Sequence, residues 1–493
     1  MTRVAFNRVR RGAYFDSVAL MRAAARIEGF PGIAAASLMM GAEANKAMLR
    51  DAGLLDHEGE AAGPNDLIVA VTADTARHAE AACDAGEAEL AGLRASSRSR
   101  ARSLAGAVED LPGANLALIS VPGAHAAAQA RAALARGLHV MVFSDNVSFA
   151  DERALKELAR RSGLLLMGPD CGTALIAGVA LGFANDVRRG DIGIVAASGT
   201  GLQEVACLID RMGRGISHAI GVGGRDLSAE IGGLATFAAL DALEGDAATR
   251  HIAIVSKPPA PEVARALFAR LASCAKTVTV CVLGASFLDM PANVRLARTL
   301  EDAAAMACAI AVKREVTSGS AGPARQSGRR FVRGLFAGGT LAAEAQIVLL
   351  EAGLAVASNV PAPGADRGSP GTVGHLVLDL GADEFTIGRP HPMIAPAARN
   401  ALVSAALADP AVAVVLIDLV IGHGAHEDPA GIVAGLGPFP EDGPAVIASV
   451  TGTDRDPQNR ARQVAILRAA NVTVADSNSA ASALAAARIV AAR

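Results

Sequence analysis

At about 150 residues per domain, a chain of 493 residues has room for roughly three domains, each burying a core without disulfide or metal staples. A net charge of −3, 19% charged residues, 3% aromatics, no Trp and a single Tyr (Tyr14) leave neither a basic field nor a stacking platform, which excludes nucleic acid as a partner. The apolar fraction is 52%, yet the longest nearly uncharged window, 163–184, is interrupted by Gly168, Pro169 and Asp170 and is no spanning helix.

Taken in chain order, the start MTRVAFNRVRRGAYFDS has basic residues but no apolar run behind them, so it does not read as a signal peptide. Strands are expected at 116–121 (LALISV), 138–143 (LHVMVF), 164–167, 192–195, 252–256 and 278–282, then at 331–336, 375–380, 412–419, 446–450 and 472–475. Helix-forming stretches such as 125–136 and 341–352 separate them, which predicts α/β units with parallel sheets covered on both faces. The polar stretch REVTSGSAGPARQSGRR (314–330) reads as a linker, and RRGD (188–191) as a softer boundary. The expected domains are therefore 1–187, 188–313 and 331–493. ASSRSRARS (95–103) reads as solvated surface, and 32–47 as a helix available to a partner subunit. The six cysteines form no CxxC or Cys/His cluster, which fits reduced thiols in a cytoplasmic protein and predicts no metal site.

Three times a strand runs into a small-residue turn and then a helix: Ser198-Gly199-Thr200-Gly201, Gly338-Gly339-Thr340, and Gly422-His423-Gly424. Glycines there let backbone N–H groups converge at a helix N-terminus, where the dipole favours an anion such as phosphate. Neither a Walker loop nor a GxGxxG fingerprint is present. Asp170 and Cys171 follow Gly168-Pro169 at a strand end, where a thiol acts as nucleophile or simply packs. Asp145 and Asn146 stand at a similar edge. His423 is a candidate general acid/base or oxyanion donor, and Arg389, in Arg389-Pro390-His391-Pro392, a candidate carboxylate clamp; loop or subunit-contact roles are the alternatives.

The runs MGPDCGTALI, GIVAASGTGLQEVA and AIGVGGRDLSAEIGG resemble the α subunit of succinyl-CoA synthetase. GLFAGGTLAAEAQIVLLEAG, LADPAVAVVLIDLVIGHGAHEDPAGIV and PAVIASVTGTDRDPQNRARQVAILRAAN resemble the ligase domain of its β subunit. With RRGAYFDSVALMRAAA and DEFTIGRPHPMI, the combination is similar to the FdrA family. The resemblance implies a Rossmann-like CoA-binding-type domain followed by two flavodoxin-like domains. In the synthetases a phosphorylated histidine carries phosphate, but here no histidine occurs between His251 and His375, and Lys257 of IAIVSKPPA stands where an acidic residue would support it. There is no nucleotide-binding module ahead of the ligase-type domain. Only Arg10-Arg11-Gly12-Ala13-Tyr14 lies near the expected CoA loop, which makes CoA a doubtful ligand. The resemblance thus implies a subunit of a hetero-oligomeric carbamoyltransferase of allantoin degradation, moving a carbamoyl group between carbamoyl phosphate and oxamate or a similar amide. Ser198–Gly201 would hold phosphate and Lys257 would offset its charge. The rival expectations are an acyl-CoA synthetase component that depends on a partner for nucleotide chemistry, and a noncatalytic anion-sensing or scaffold subunit.

Overall fold

The first sheet is antiparallel. β1 (Val4–Arg10), β2 (Ile33–Met40) and β3 (Leu67–Ala73) run in the order β1-β3-β2, both pairings antiparallel. Helices α1 (Ser17–Glu28) and α4 (Ala76–Ser96) supply Leu20, Ala23, Ile27, Ala79 and Cys83, which pack with Leu67, Val69 and Val71. The other face of β3 packs Ile68 and Ala70 against Leu49 of α2 (Glu43–Asp51) and Leu54, which precedes α3 (His57–Glu60). Residues 32–47, expected as a helix, instead contain β2. Its IAAASLMM run hides a strand behind helix-forming alanines, and pairing with β3 overrides propensity. The computed structural model describes residues 4–13, 15, 17–96, 101, 103–285, 290–310, 328–387, 390–440 and 443–491.

A second, parallel sheet follows. After α5 (Leu104–Asp110) come β4 (Leu116–Ile119), α6 (Gly123–Leu134), β5 (His139–Val142), α7 (Phe149–Arg161) and β6 (Leu166–Met167), ordered β4-β5-β6. Residues 1–187 therefore do not form one Rossmann-like unit, as the sequence reading expected. They hold two sheets, and the hairpin β7 (Thr173–Ile176) and β8 (Val179–Gly182) joins a third.

That third sheet continues with β9 (Arg189–Ala196), α8 (Gly199–Arg211), β10 (Ile216–Gly221), α9 (Leu234–Gly245), β11 (His251–Ser256), α10 (Pro261–Ala272), β12 (Thr277–Val282), β13 (Val294–Ala297) and α11 (Leu300–Ala307). Its order is β13-β12-β11-β9-β10-β7-β8. The fourth comprises β14 (Phe331–Phe336), α12 (Gly339–Glu351), β15 (Val356–Ser358), β16 (Asp366–Arg367), β17 (His375–Asp379), α13 (Asp383–Thr386), α14 (Asn400–Ala408), β18 (Val412–Val420), α15 (Pro429–Ala434), β19 (Ala445–Thr451), α16 (Arg460–Ala469), β20 (Thr473–Ala475) and α17 (Asn478–Val490). It is parallel in the order β16-β15-β17-β14-β18-β19-β20.

In both large sheets the first strand of the parallel series sits between neighbours reached from opposite directions: β9 between β10 and β11, β14 between β17 and β18. The carboxyl ends of such switch-point strands are where open α/β sheets leave a crevice for ligand. The turn at Ser198 follows β9 and the turn at Gly338 follows β14. One apolar core runs through both units, with Ile194, Leu202 and Ile209 on one side and Leu341, Ile347 and Ile489 on the other. Among the described residues, no helix is long and apolar enough to cross a membrane.

Candidate functional site

The two switch-point turns meet. Ser198 caps α8: its Oγ accepts from the Gly201 N–H at 3.0 Å and lies 2.5 Å from Thr340 Oγ1 in the first turn of α12. Glycine makes the approach possible. A Cβ on Gly201 would stand 3.0 Å from Thr340 Cγ2, and one on Gly338 would stand 3.0 Å from Thr200. Two helix N-termini, each with N–H groups that lack a partner inside the helix, are thus brought side by side.

The two turns are not equivalent. In the second, the Ala337 and Gly338 N–H groups donate to Asp418 at 2.7 and 2.8 Å, and Asp418 is paired in turn with buried Arg399 at 3.3 Å. Burial pushes the Asp418 carboxyl up, opposed by Arg399. Gly339 faces a second carboxylate, Asp379, whose Oδ2 lies 2.5 Å from the position a Cβ would take. Burial raises Asp379 to about 6, against the pull of Lys257. Of Gly338, Gly339 and Thr340, expected to bind phosphate, Gly338 gives its N–H to the chain's own Asp418, Gly339 borders Asp379 and Thr340 meets Ser198. At the Ser198–Gly201 turn the Gly201 N–H goes to Ser198 Oγ and not to a carboxylate, and Lys257 lies exposed at the end of β11, the strand beside β9.

The third glycine turn serves a different purpose. The Gly422 N–H donates to Gln458 Oε1 at 3.0 Å and the His423 N–H to the Ala184 carbonyl at 2.8 Å. A Cβ on Gly422 would stand 2.5 Å from that carbonyl, and one on Gly424 would stand 2.8 Å from the Phe183 ring. Gly422 and Gly424 therefore let this loop dock closely on Phe183 and Ala184. His423 reaches Asp186, with Nε2 3.3 Å from Oδ1, a half-exposed pair across the same joint.

Cys171 has two roles open to it, nucleophile or packed thiol, and its surroundings match the packed one. It is 2% exposed, its thiol donates to the Gly221 and Thr173 carbonyls at 3.3 and 3.5 Å, and burial pushes it up to about 12. A thiolate is the reactive form, and this environment suppresses it. Asp170 holds a left-handed backbone (φ 55°) and is exposed, and the surrounding protein and Asp145 push its carboxyl up to about 6, opposed by Arg225. The loop that carries it borders the first turn, because a Cβ on Gly199 would stand 3.1 Å from Thr173 Oγ1. Arg389 lies outside the described residues. Asp379 and Asp418 were missed. Their signal was a lone acid in otherwise apolar strands, HLVLD and VAVVLIDLV.

Three family models match parts of the chain: "AllF, heavy metal-associated domain" at 1–105, "CoA binding domain" at 187–283 and "CoA-ligase" at 335–488. YahF of Escherichia coli (strain K12) is 41% identical over 95% of this chain and 96% of its own length. The mitochondrial succinate–CoA ligase [ADP-forming] subunit alpha-2 of Trichomonas vaginalis is 32% identical over 24% of this chain and 40% of its own. The apo dinucleotide-forming acetyl-coenzyme A synthetase 1 of Ca. Korarchaeum cryptofilum covers 78% of this chain and 85% of its own at 17% identity, with a TM-score of 0.32. By its family matches over 187–283 and 335–488 and its likeness to the succinate–CoA ligase α subunit, the chain has a CoA-ligase-like, succinyl-CoA-synthetase-like architecture. Residues 10–14 make CoA a doubtful ligand, whereas the CoA-binding match falls on the unit that carries Ser198. A metal suggested by the first match does not fit the residues present. Cys83 is fully buried with its thiol pushed to about 11, and among the described residues no three His, Cys, Asp or Glu could hold an ion together.

Proposed function

The chain belongs to the family of YahF, and from that premise we propose that it is the acyl-transferring component of an enzyme of the CoA-ligase type. The phosphate of an acyl phosphate would be held by the Ser198–Gly201 turn at the start of α8, with Lys257 offsetting its charge. The acceptor sulfur of CoA attacks the acyl carbon, the C–S bond forms, the C–O bond to phosphate breaks, and phosphate leaves carrying the thiol proton. The leaving group comes with the substrate, so the protein contributes positioning and charge stabilisation. The observation that carries this reading is the contact of Ser198 with Thr340, which sets two helix N-termini together at the crevice. The matches to CoA-binding and CoA-ligase domains support CoA as the acceptor. Nucleotide chemistry would fall to a partner subunit.

A second reading keeps the donor side and changes the acceptor: carbamoyl phosphate with oxamate or a similar amide, giving oxalurate and phosphate. It is favoured by one observation, the absence of any histidine from residues 252–374 to carry phosphate between half-reactions. Phosphate release should be followed with the chain purified together with its natural partners, offering acetyl, succinyl and carbamoyl phosphate with CoA or oxamate. CoA-dependent release, cut about tenfold or more by Lys257→Ala or Ser198→Ala, supports the first reading. Oxamate-dependent release from carbamoyl phosphate with matching oxalurate replaces it by the second. An intact complex silent with every pair overturns both and leaves a binding or scaffold role.

A further inference from the structure

The second turn is already filled. Asp418 Oδ1 accepts the Ala337 N–H at 2.7 Å and its Oδ2 the Gly338 N–H at 2.8 Å, so two donors that a ligand anion would use are taken by the chain's own carboxylate. Asp418 is fully buried and is backed by Arg399, 2% exposed, whose Nη1 also donates to the Asp418 carbonyl at 2.6 Å. Asp379 stands beside it at the start of α12. Its Oδ2 lies 2.5 Å from the point a Cβ on Gly339 would occupy, and its Oδ1 accepts the Gly381 N–H at 3.0 Å. Asn359 braces this strand end: its Oδ1 accepts the Asp379 N–H at 2.8 Å and its Nδ2 donates to the Asp379 carbonyl at 2.9 Å. Among the described residues, no cation is bonded to Asp379 as Arg399 is to Asp418. The turn that these two carboxylates hold touches the first one directly. A Cβ on Gly338 would stand 3.0 Å from Thr200, and Thr340 Oγ1 lies 2.5 Å from Ser198 Oγ.

We propose that the acyl phosphate taken by this crevice carries its negative charge on the phosphate alone, with a small uncharged acyl group, because Asp418 and Asp379 hold the second turn against any further anion. The proposal rests on the reading of the Ser198 turn as a phosphate site. A helix N-terminus is a ready place for a carboxylate or phosphate, and a crevice built from two such ends would suit a substrate with an anion at each. Here the ends are unequal. The first is capped by a neutral hydroxyl, Ser198 Oγ, whereas the second has its N–H groups on Asp418 and a further carboxylate against Gly339. An acyl group that extends from the first turn along the second passes Thr340 and comes to Asp379. A methyl group is accepted there, and an amino group can donate to a carboxylate oxygen. A second carboxylate meets a like charge in partly buried protein, where repulsion is much less screened than in water. The crevice therefore selects acetyl or carbamoyl phosphate over succinyl phosphate.

The experiment is calorimetric titration of the full chain at pH 8 with two stable phosphonates of the same size: acetonylphosphonate, which ends in a methyl ketone, and phosphonoacetate, which has a carboxylate in its place. Acetonylphosphonate is expected to bind more tightly by about tenfold or more, and Ser198→Ala to weaken it. Asp379→Asn, which keeps an oxygen for Gly381, should bring phosphonoacetate to within about threefold of acetonylphosphonate. Equal binding of the two by the wild type, lost in Ser198→Ala, overturns the charge selection and leaves the phosphate site standing. A preference that Asp379→Asn does not narrow overturns the role of Asp379. Binding of neither, or binding indifferent to Ser198→Ala, overturns the phosphate reading and the proposal with it. If Asp379→Asn does not fold, the comparison of the two phosphonates on the wild type decides alone.

Discussion

Gly201 shows how much of the site depends on a missing methyl group. A Cβ there would lie 2.8 Å from Ser198 Oγ, 3.0 Å from Thr340 Cγ2 and 3.1 Å from Val255 Cγ1, so neither the capping bond nor the contact between the helix starts survives it unchanged. Gly201→Ala should lower stability by about 1–3 kcal/mol through overpacking. It should also weaken phosphate binding, because Ser198 and Thr340 are pushed apart. Gly245→Ala is the control: that glycine ends α9 with nothing within 4 Å of the added atom, and the change should be neutral or stabilising by up to about 1 kcal/mol. Denaturant midpoints and phosphate titrations of the two variants check this. Equal behaviour would mean that the close approach of the helices is not needed. At this scale the sequence was legible where a residue acts through its own backbone, as Ser198 does as a cap. It was not legible where a residue's role depends on a distant partner. Nothing local to Cys171 told that Gly221 would take its thiol hydrogen bond, or that Asp379 and Asp418 would stand over the second turn.

Helices α8 and α12 are held together by more than their first turns. Three residues beyond Gly201, Glu204 accepts from Thr451 Oγ1 at 2.5 Å and from the Asn478 N–H at 3.1 Å. Four beyond Thr340, Glu344 accepts from Asn478 Nδ2 at 2.7 Å and from the Leu300 N–H at 2.6 Å. Asn478, the first residue of α17, therefore links both site helices, and Ser477 and Ser479 on either side of it hold Glu301. Asn478→Ala removes the Nδ2 bonds to Glu344 and to the Leu341 carbonyl and leaves buried acceptors short of donors. It should cost about 1–3 kcal/mol. Phosphate affinity should fall with it, if the linkage also sets how the first turns meet; a destabilised variant with wild-type affinity would confine Asn478 to stability. The strands of both large sheets were legible because buried parallel strands are continuous β-branched runs, as in β11 (HIAIVS) and β18 (VAVVLIDLV). Those of the first sheet were not: β2 is half alanine and methionine, and only its pairing with β3 makes it a strand.

Across the whole molecule, buried titrating groups set how stability follows pH. His251 and His391 are held down to about 4 by burial, so the folded chain binds fewer protons at them than the unfolded chain does, and their contribution rises with pH until about 6.5. Asp379, buried and held up to about 6, acts in the opposite sense, and its contribution is gone once pH passes that value. Glu344 is pushed to about 8 by complete burial despite the bonds from Asn478 and Leu300. Between pH 6.5 and 8 the folded chain retains a proton there that the unfolded chain has lost, so stability must fall as pH rises. A separation of about 1.5 pH units at 1.36 kcal/mol each gives a decline of about 2 kcal/mol over that window. The joint between the two large units thus becomes sensitive to alkali, since Glu344 lies where α12, α17 and the start of α11 converge. Thermal midpoints of the full chain should drop from pH 6.5 to 8, and those of Glu344→Gln should stay level over the same range, whatever their absolute value. A wild-type midpoint that holds steady across this window would mean that Glu344 is ionised in the folded protein and that the joint carries its charge through Asn478.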